Sequence, residues 1–123
     1  MNLVDSSGWL EYLTNGKNAQ YFSSPLTEKK KLLVPSICIY EVFKRVLLDA
    51  SESDAVTTIA MMHQGEVVEL NATLAIEAAK LSVDLKIPMA DSIIVATARK
   101  YNAVIWTQDA HFKNLPNVKF IDK

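Results

Sequence analysis

Punctuation is scarce in this chain. Three glycines and four prolines in 123 residues leave no room for a long flexible linker, and neither an internal repeat nor a low-complexity tract is present. The single cysteine, Cys38, excludes an intramolecular disulfide and any cysteine-based zinc site. Set in an apolar run, it is most simply a small buried residue. There are only two histidines, His63 and His111, each read first as a solvent-facing ring. No apolar stretch approaches the roughly 20 residues of a membrane span. The opening Met-Asn-Leu-Val-Asp lacks the basic region and long apolar segment of a secretory signal, so the expectation is a cytoplasmic chain without a membrane partner. Neither sign of charge dominates. With a net charge of −1, a nucleic-acid partner has to be met by a local basic surface.

What remains is ordinary globular material. Half the residues are hydrophobic and 22% are charged, consistent with one domain over residues 1–123 and a substantial core. Asn2-Leu3-Val4 predicts a short strand with Asp5 at its end, followed by a helix that Ser6 or Ser7 caps and Gly16 closes. Residues 18–24 predict a short helix broken by Pro25, and Lys29-Lys30-Lys31 belongs to a solvated surface. Leu32-Leu33-Val34 is the second strand, and Ser36 caps a helix running through Leu47. Within it Glu41 is either exposed and paired with Arg45, four residues on, or held in a pocket among Ile37, Tyr40 and Phe43. Ser53 caps a further helix from Asp54 to about His63, and Val67–Leu70 forms the third strand. Asn71 or Thr73 starts a helix with Leu74, Ala78, Leu81 and Leu85 at helical spacing.

The stretch from Ile87 to Phe112 organises the rest. Pro88 can begin a helix but not sit inside one, which places Asp91 in a first turn. Ala90, Ile94, Ala98 and Tyr101 share a face of that helix, and Asn102 suits a left-handed cap at its end. Ala103–Trp106 is apolar at every position, as in a strand buried on both faces, and Asp109 follows directly. Val118–Ile121 is a final edge strand. Alternation of strands and helices in this order predicts an α/β fold: a three-layer α/β/α sandwich around a mostly parallel sheet. Trp9 and Trp106, both in apolar segments, are expected in the core rather than as base-stacking platforms.

Four acids stand out by position. Asp5 and Asp109 follow strands, Glu41 lies about one turn into a helix, and Asp91 opens one. In a parallel sheet with right-handed crossovers, strand ends and helix starts share one rim, so all four can converge on a single cleft. An acid at a helix start also has a simpler explanation in the helix dipole. Carboxylates brought together repel unless a cation neutralises them, and all-oxygen ligation favours Mg²⁺ or Mn²⁺ over zinc. Such a site suits phosphodiester hydrolysis. Lys44 and Arg45, one turn beyond Glu41, are placed to steer a phosphate backbone, although a plain polar helix face explains them equally well.

The same residues carry a resemblance. Met1–Ser7, Val34-Pro35-Ser36 leading to Glu41, Ala90–Ala98 and Trp106–Phe112, in this order and spacing, resemble the PIN-domain family over almost the whole chain. The nearest subgroup is the VapC-type toxin ribonucleases of toxin–antitoxin systems. The resemblance implies a parallel α/β/α sandwich and an endoribonuclease that needs Mg²⁺ or Mn²⁺. It places the metal-binding, catalytic acids at Asp5, Glu41, Asp91 and Asp109. Asp5 and Asp91 would ligate directly, Glu41 would hold or orient the attacking water, and Asp109 would bind a second ion or a water. Thr107, and Ser6 or Ser7, match the small hydroxyl residues near the last and first acids, as supports behind the ligands. RNA as substrate, a cognate antitoxin protein and a homodimer are implied in the same way. Tyr40, Phe43, Val46 and Leu47 cover much of one helix and offer apolar surface for an interface.

Two other functions remain compatible with the residues. One is a PIN fold that binds RNA or a partner without cutting. The other is a different acidic Mg²⁺ protein that handles phosphoryl groups through an aspartate nucleophile, such as a phosphatase or a receiver domain. The Asp-x-Asp start typical of aspartate-nucleophile phosphatases is missing, because Asp5-Ser6-Ser7 holds one acid.

Overall fold

Five short strands form one sheet in the order β3-β2-β1-β4-β5, and all four pairings are parallel. The structure, a computed structural model, describes residues 1–123. The strands are β1 (Asn2–Val4), β2 (Leu32–Pro35), β3 (Glu66–Val68), β4 (Val104–Thr107) and β5 (Val118–Phe120). Between them run α1 (Ser6–Leu13), α2 (Ala19–Thr27), α3 (Ser36–Asp49), α4 (Glu52–Met62), α5 (Ala72–Leu85) and α6 (Met89–Lys100). Two 3₁₀ turns, Lys29–Lys31 and Ala110–Phe112, complete the chain.

The order of the strands decides where the helices go. From β1 the chain steps outward twice to β3, then crosses back over the sheet to β4 and β5. With right-handed crossovers, α1–α4 and α5–α6 therefore fall on opposite faces. Side chains agree: Tyr21 of α2 packs on Trp106, whereas Ile105, one residue earlier on β4, meets Val95 and Ala98 of α6. The central strands are apolar on both faces for this reason, with Leu3, Val4, Leu33 and Val34 all fully buried. Helix α6 is buried over seven consecutive residues, Ser92–Ala98, because α5 covers it from outside while the sheet lies beneath. No helix is long and apolar enough to cross a membrane.

Several element boundaries differ from expectation, each for a local reason. Asp5, rather than Ser6 or Ser7, caps α1, its carboxylate accepting the Gly8 N–H at 3.0 Å. The left-handed residue after α1 is Asn15, one before Gly16. Helix α2 runs through Pro25 to Thr27, since Pro25 and Leu26 are both buried and only two residues follow the proline. Ser51, not Ser53, caps α4, and Ser36 caps nothing: its hydroxyl lies 3.3 Å from the Leu70 N–H. Asn71 caps α5, and Asn102 takes the left-handed conformation after α6. Tyr101 leaves the buried face of α6 and is exposed. Trp9 is in the core, while Trp106 is partly buried with Lys119 stacked over its ring.

Candidate active site

Every strand in a parallel sheet delivers its C-terminal end to the same rim. At that rim Asp5 follows β1 and Asp109 lies two residues beyond β4, with α3 and α6 contributing Glu41 and Asp91 from their early turns. The four acids line one cleft of about 350 Å³, together with Ser6, Ser7, Leu10, Tyr40 and Ile94. Lys44 and Arg45 line the same cleft from α3. Every candidate residue from the sequence therefore lies in or directly behind one concavity.

Asp5 is the innermost of the four, 3% exposed. Its carboxylate accepts from three donors: the Gly8 N–H, the Ser7 hydroxyl, which lies 2.8 and 3.0 Å from its two oxygens, and the Thr107 hydroxyl at 2.7 Å. Those bonds favour the ionised form, yet burial outweighs them and lifts the carboxyl to about 6, with the charge of Asp109 adding to the rise. Thr107 is fully buried and works on two acids at once. Its hydroxyl donates to Asp5 and accepts the Asp109 N–H at 2.9 Å, so it spaces the end of β4 against the end of β1. Ser6 does the same for α3, donating to Glu41 at 2.6 Å. Glu41 is thus held by a hydroxyl rather than paired with Arg45, whose guanidinium instead lies 3.5 Å from Asp49 on the solvent side. The charge of these acids is felt beneath them: burial pushes the Cys38 thiol far up, and Asp5 and Glu41 push it further.

Asp91 is half-buried in the first turn of α6, and its carboxyl is also raised, chiefly by burial and then by Asp109. One contact was not foreseen. His111 Nδ1 stands 2.8 Å from an Asp91 oxygen and 3.3 Å from an Asp109 oxygen. The 3₁₀ turn Ala110–Phe112 folds the ring back over the acids: Asp109 accepts the His111 N–H at 2.9 Å, and Phe112 is buried behind it. The only trace of this in sequence is an acid two residues before the histidine and an apolar anchor one residue after.

The donor set fits a hard divalent cation. Carboxylate oxygens predominate, two of the carboxyls are raised by desolvation and mutual repulsion, and a cation among them would relieve both.

A parallel α/β/α sandwich with an acid-lined cleft at the C-terminal rim defines a class of proteins, and comparison with known proteins narrows it. A family model described as PIN domain matches residues 3–118, and the chain belongs to that family. Solved structures with the same fold include a toxin–antitoxin complex from Klebsiella pneumoniae, with 20% identity, TM-score 0.78, and coverage of 97% of this chain and 96% of that one. Another is the sarcin–ricin loop-cleaving toxin VapC20 of Mycobacterium tuberculosis, at 16% identity, TM-score 0.74, and 96% and 98% coverage. A third is VapBC2 of Rickettsia felis bound to a promoter DNA fragment, at 16% identity, TM-score 0.74, and 98% and 97% coverage. No curated protein matches the chain by sequence.

Proposed function

We propose that this chain is a Mg²⁺- or Mn²⁺-dependent endoribonuclease, the toxin of a VapBC-type toxin–antitoxin pair, working as one domain over residues 1–123. The observation that carries this reading is the meeting of four carboxylates from four separate elements in one cleft. Membership of the PIN family and structural neighbours that are toxins support it.

Asp5 and Asp91 would hold the cation directly, with Asp109 beside them. A divalent ion there would supply a Lewis acid for the scissile phosphate and its attacking water. Glu41, oriented by Ser6, faces the cleft as acceptor for a proton from that water. Thr107 and Ser7 keep Asp5 in one rotamer, so the ligand oxygens stay aimed at the cleft. Lys44 and Arg45 supply positive charge at the side where a phosphodiester backbone would enter. We further propose a homodimer and a protein antitoxin that blocks the cleft. From Tyr40 at the cleft, exposed Leu47 and Leu48 carry apolar surface along α3 and offer such a partner surface.

The test is cleavage of a total-RNA pool by purified, antitoxin-free protein, with Mn²⁺ and with EDTA. Discrete fragments that require both metal and Asp5 are expected, with Asp5→Asn as control. Asp91→Asn is expected to lower the rate about 10³-fold or more with the fold intact, because it removes charge and not volume. Retained cleavage by that variant would remove Asp91 from the site. No cleavage by folded protein under any condition would favour a binding module.

A further inference from the structure

The unforeseen histidine touches two acids at once. Asp91 and Asp109 come from different elements, and a single nitrogen stands against one oxygen of each. The three donor atoms lie within 4.8 Å of one another. Donors on neighbouring vertices of an octahedral shell, with bonds of about 2.1 Å, are about 3.0 Å apart. The two nitrogen–oxygen separations, 2.8 and 3.3 Å, bracket that value. The ring is also held in place by its backbone: the turn that carries it is capped by Asp109 itself and anchored by buried Phe112. His63, by contrast, faces an α4 carbonyl and has no acid beside it.

We propose that His111 is a metal ligand. With Asp91 and Asp109 it forms a mixed nitrogen–oxygen cation site at the edge of the cleft, with Asp91 shared between His111 on one side and Asp5 on the other. This inference rests on the metal-nuclease reading and refines it, because an imidazole donor changes which ion is favoured. Mg²⁺ gains little from nitrogen, whereas Mn²⁺, and Co²⁺ and Ni²⁺ more strongly, gain progressively along the divalent series. The cleft therefore prefers Mn²⁺ to Mg²⁺ by virtue of one side chain.

The experiment is metal binding rather than turnover. Metal-stripped protein is titrated with Mn²⁺ and with Mg²⁺ by calorimetry, using wild type, His111→Ala, His111→Gln and Asp91→Asn. Mn²⁺-loaded wild type is also examined by pulsed electron paramagnetic resonance after ¹⁵N-histidine labelling. The His111 side chain is more than half exposed, so both of its variants are expected to keep the wild-type melting curve. Expected are one histidine nitrogen coupled to Mn²⁺, lost in both His111 variants, and Mn²⁺ affinity lower by about tenfold or more, with Mg²⁺ affinity changed much less. Absence of nitrogen coupling with unchanged affinity would overturn the proposal. So would tighter Mn²⁺ binding in His111→Ala, which would make the ring a stand-in for the cation rather than its ligand. If Asp91→Asn binds Mn²⁺ as wild type does, or wild type binds none, the metal-nuclease reading itself falls, a result distinct from loss of the histidine alone.

Discussion

Asp5 is a costly residue in the metal-free protein. Its carboxyl titrates at about 6 in the folded chain against an ordinary 3.8. Below pH 4 both states hold the proton. Between pH 4 and 6 the unfolded chain has released it and the folded chain has not, so stability falls as pH rises through that window and levels off above it. The loss is on the order of 2–3 kcal/mol for this group, and Asp91 adds in the same direction. Urea unfolding in EDTA across pH 4–7 is expected to show the slope, and Asp5→Asn to remove most of it. Thr107 offers the opposite test. Thr107→Val keeps the shape but leaves the Asp109 N–H without its acceptor and takes from one Asp5 oxygen the shorter of its two contacts, at a cost of roughly 1–3 kcal/mol in the same unfolding assay. The four acids were legible in sequence because the sheet's periodicity places them at one rim. Thr107 and Ser6 or Ser7 were named beside the acids from the resemblance, but the Ser6 bond to Glu41, the bridging of Asp5 and Asp109 by Thr107, and the histidine were not, because those contacts depend on rotamers and on a three-residue turn.

At the scale of elements, α1 lies against β1 and α2 with no room for a side chain at Gly8. A Cβ on Gly8 would come within 2.6 Å of Val4 and 2.7 Å of Phe22, both fully buried. Gly8→Ala is therefore expected to lower Tm by roughly 5–10 °C despite the better helix propensity of alanine, and thermal melting reads it directly. The displaced helix would also carry Ser6 and Ser7 away from the acids they hold. Element type and order were readable throughout, since β1, β2, β4 and α6 are short apolar runs bounded by Pro, Asn or an acid. Ends were harder. Asp5 caps α1 ahead of two serines because its backbone is already extended at the strand's end, and burial carried α2 past Pro25. Propensity sees neither the strand before nor the core beneath.

For the whole molecule, acids from four elements line one cleft, so a cation bound there favours the folded chain. Mn²⁺ at about ten times its Kd is expected to stabilise the fold by about 1.4 kcal/mol, or about 5 °C in Tm near neutral pH. A melting temperature flat across millimolar metal would argue against a cluster formed before binding. The outer faces also leave apolar groups in water, Val83 at 77% and Met89 at 71% exposed beside a groove between α5 and α6. If that face joins two copies, Val83→Asp is expected to halve the mass seen by sedimentation without changing metal binding.

Strand β1 is the central strand of the sheet, flanked by β2 and by β4. During synthesis Asp5 waits for its partners: Thr107, the Trp106 carbonyl that accepts its N–H, and Asp109 are all made about a hundred residues later. A growing chain can pair β1, β2 and β3 but cannot close the cleft, because one whole side of β1 waits for β4. The acids of β1, α3, α6 and the turn after β4 therefore share one cleft only when translation of residues 104–112 is done and that segment has cleared the exit tunnel.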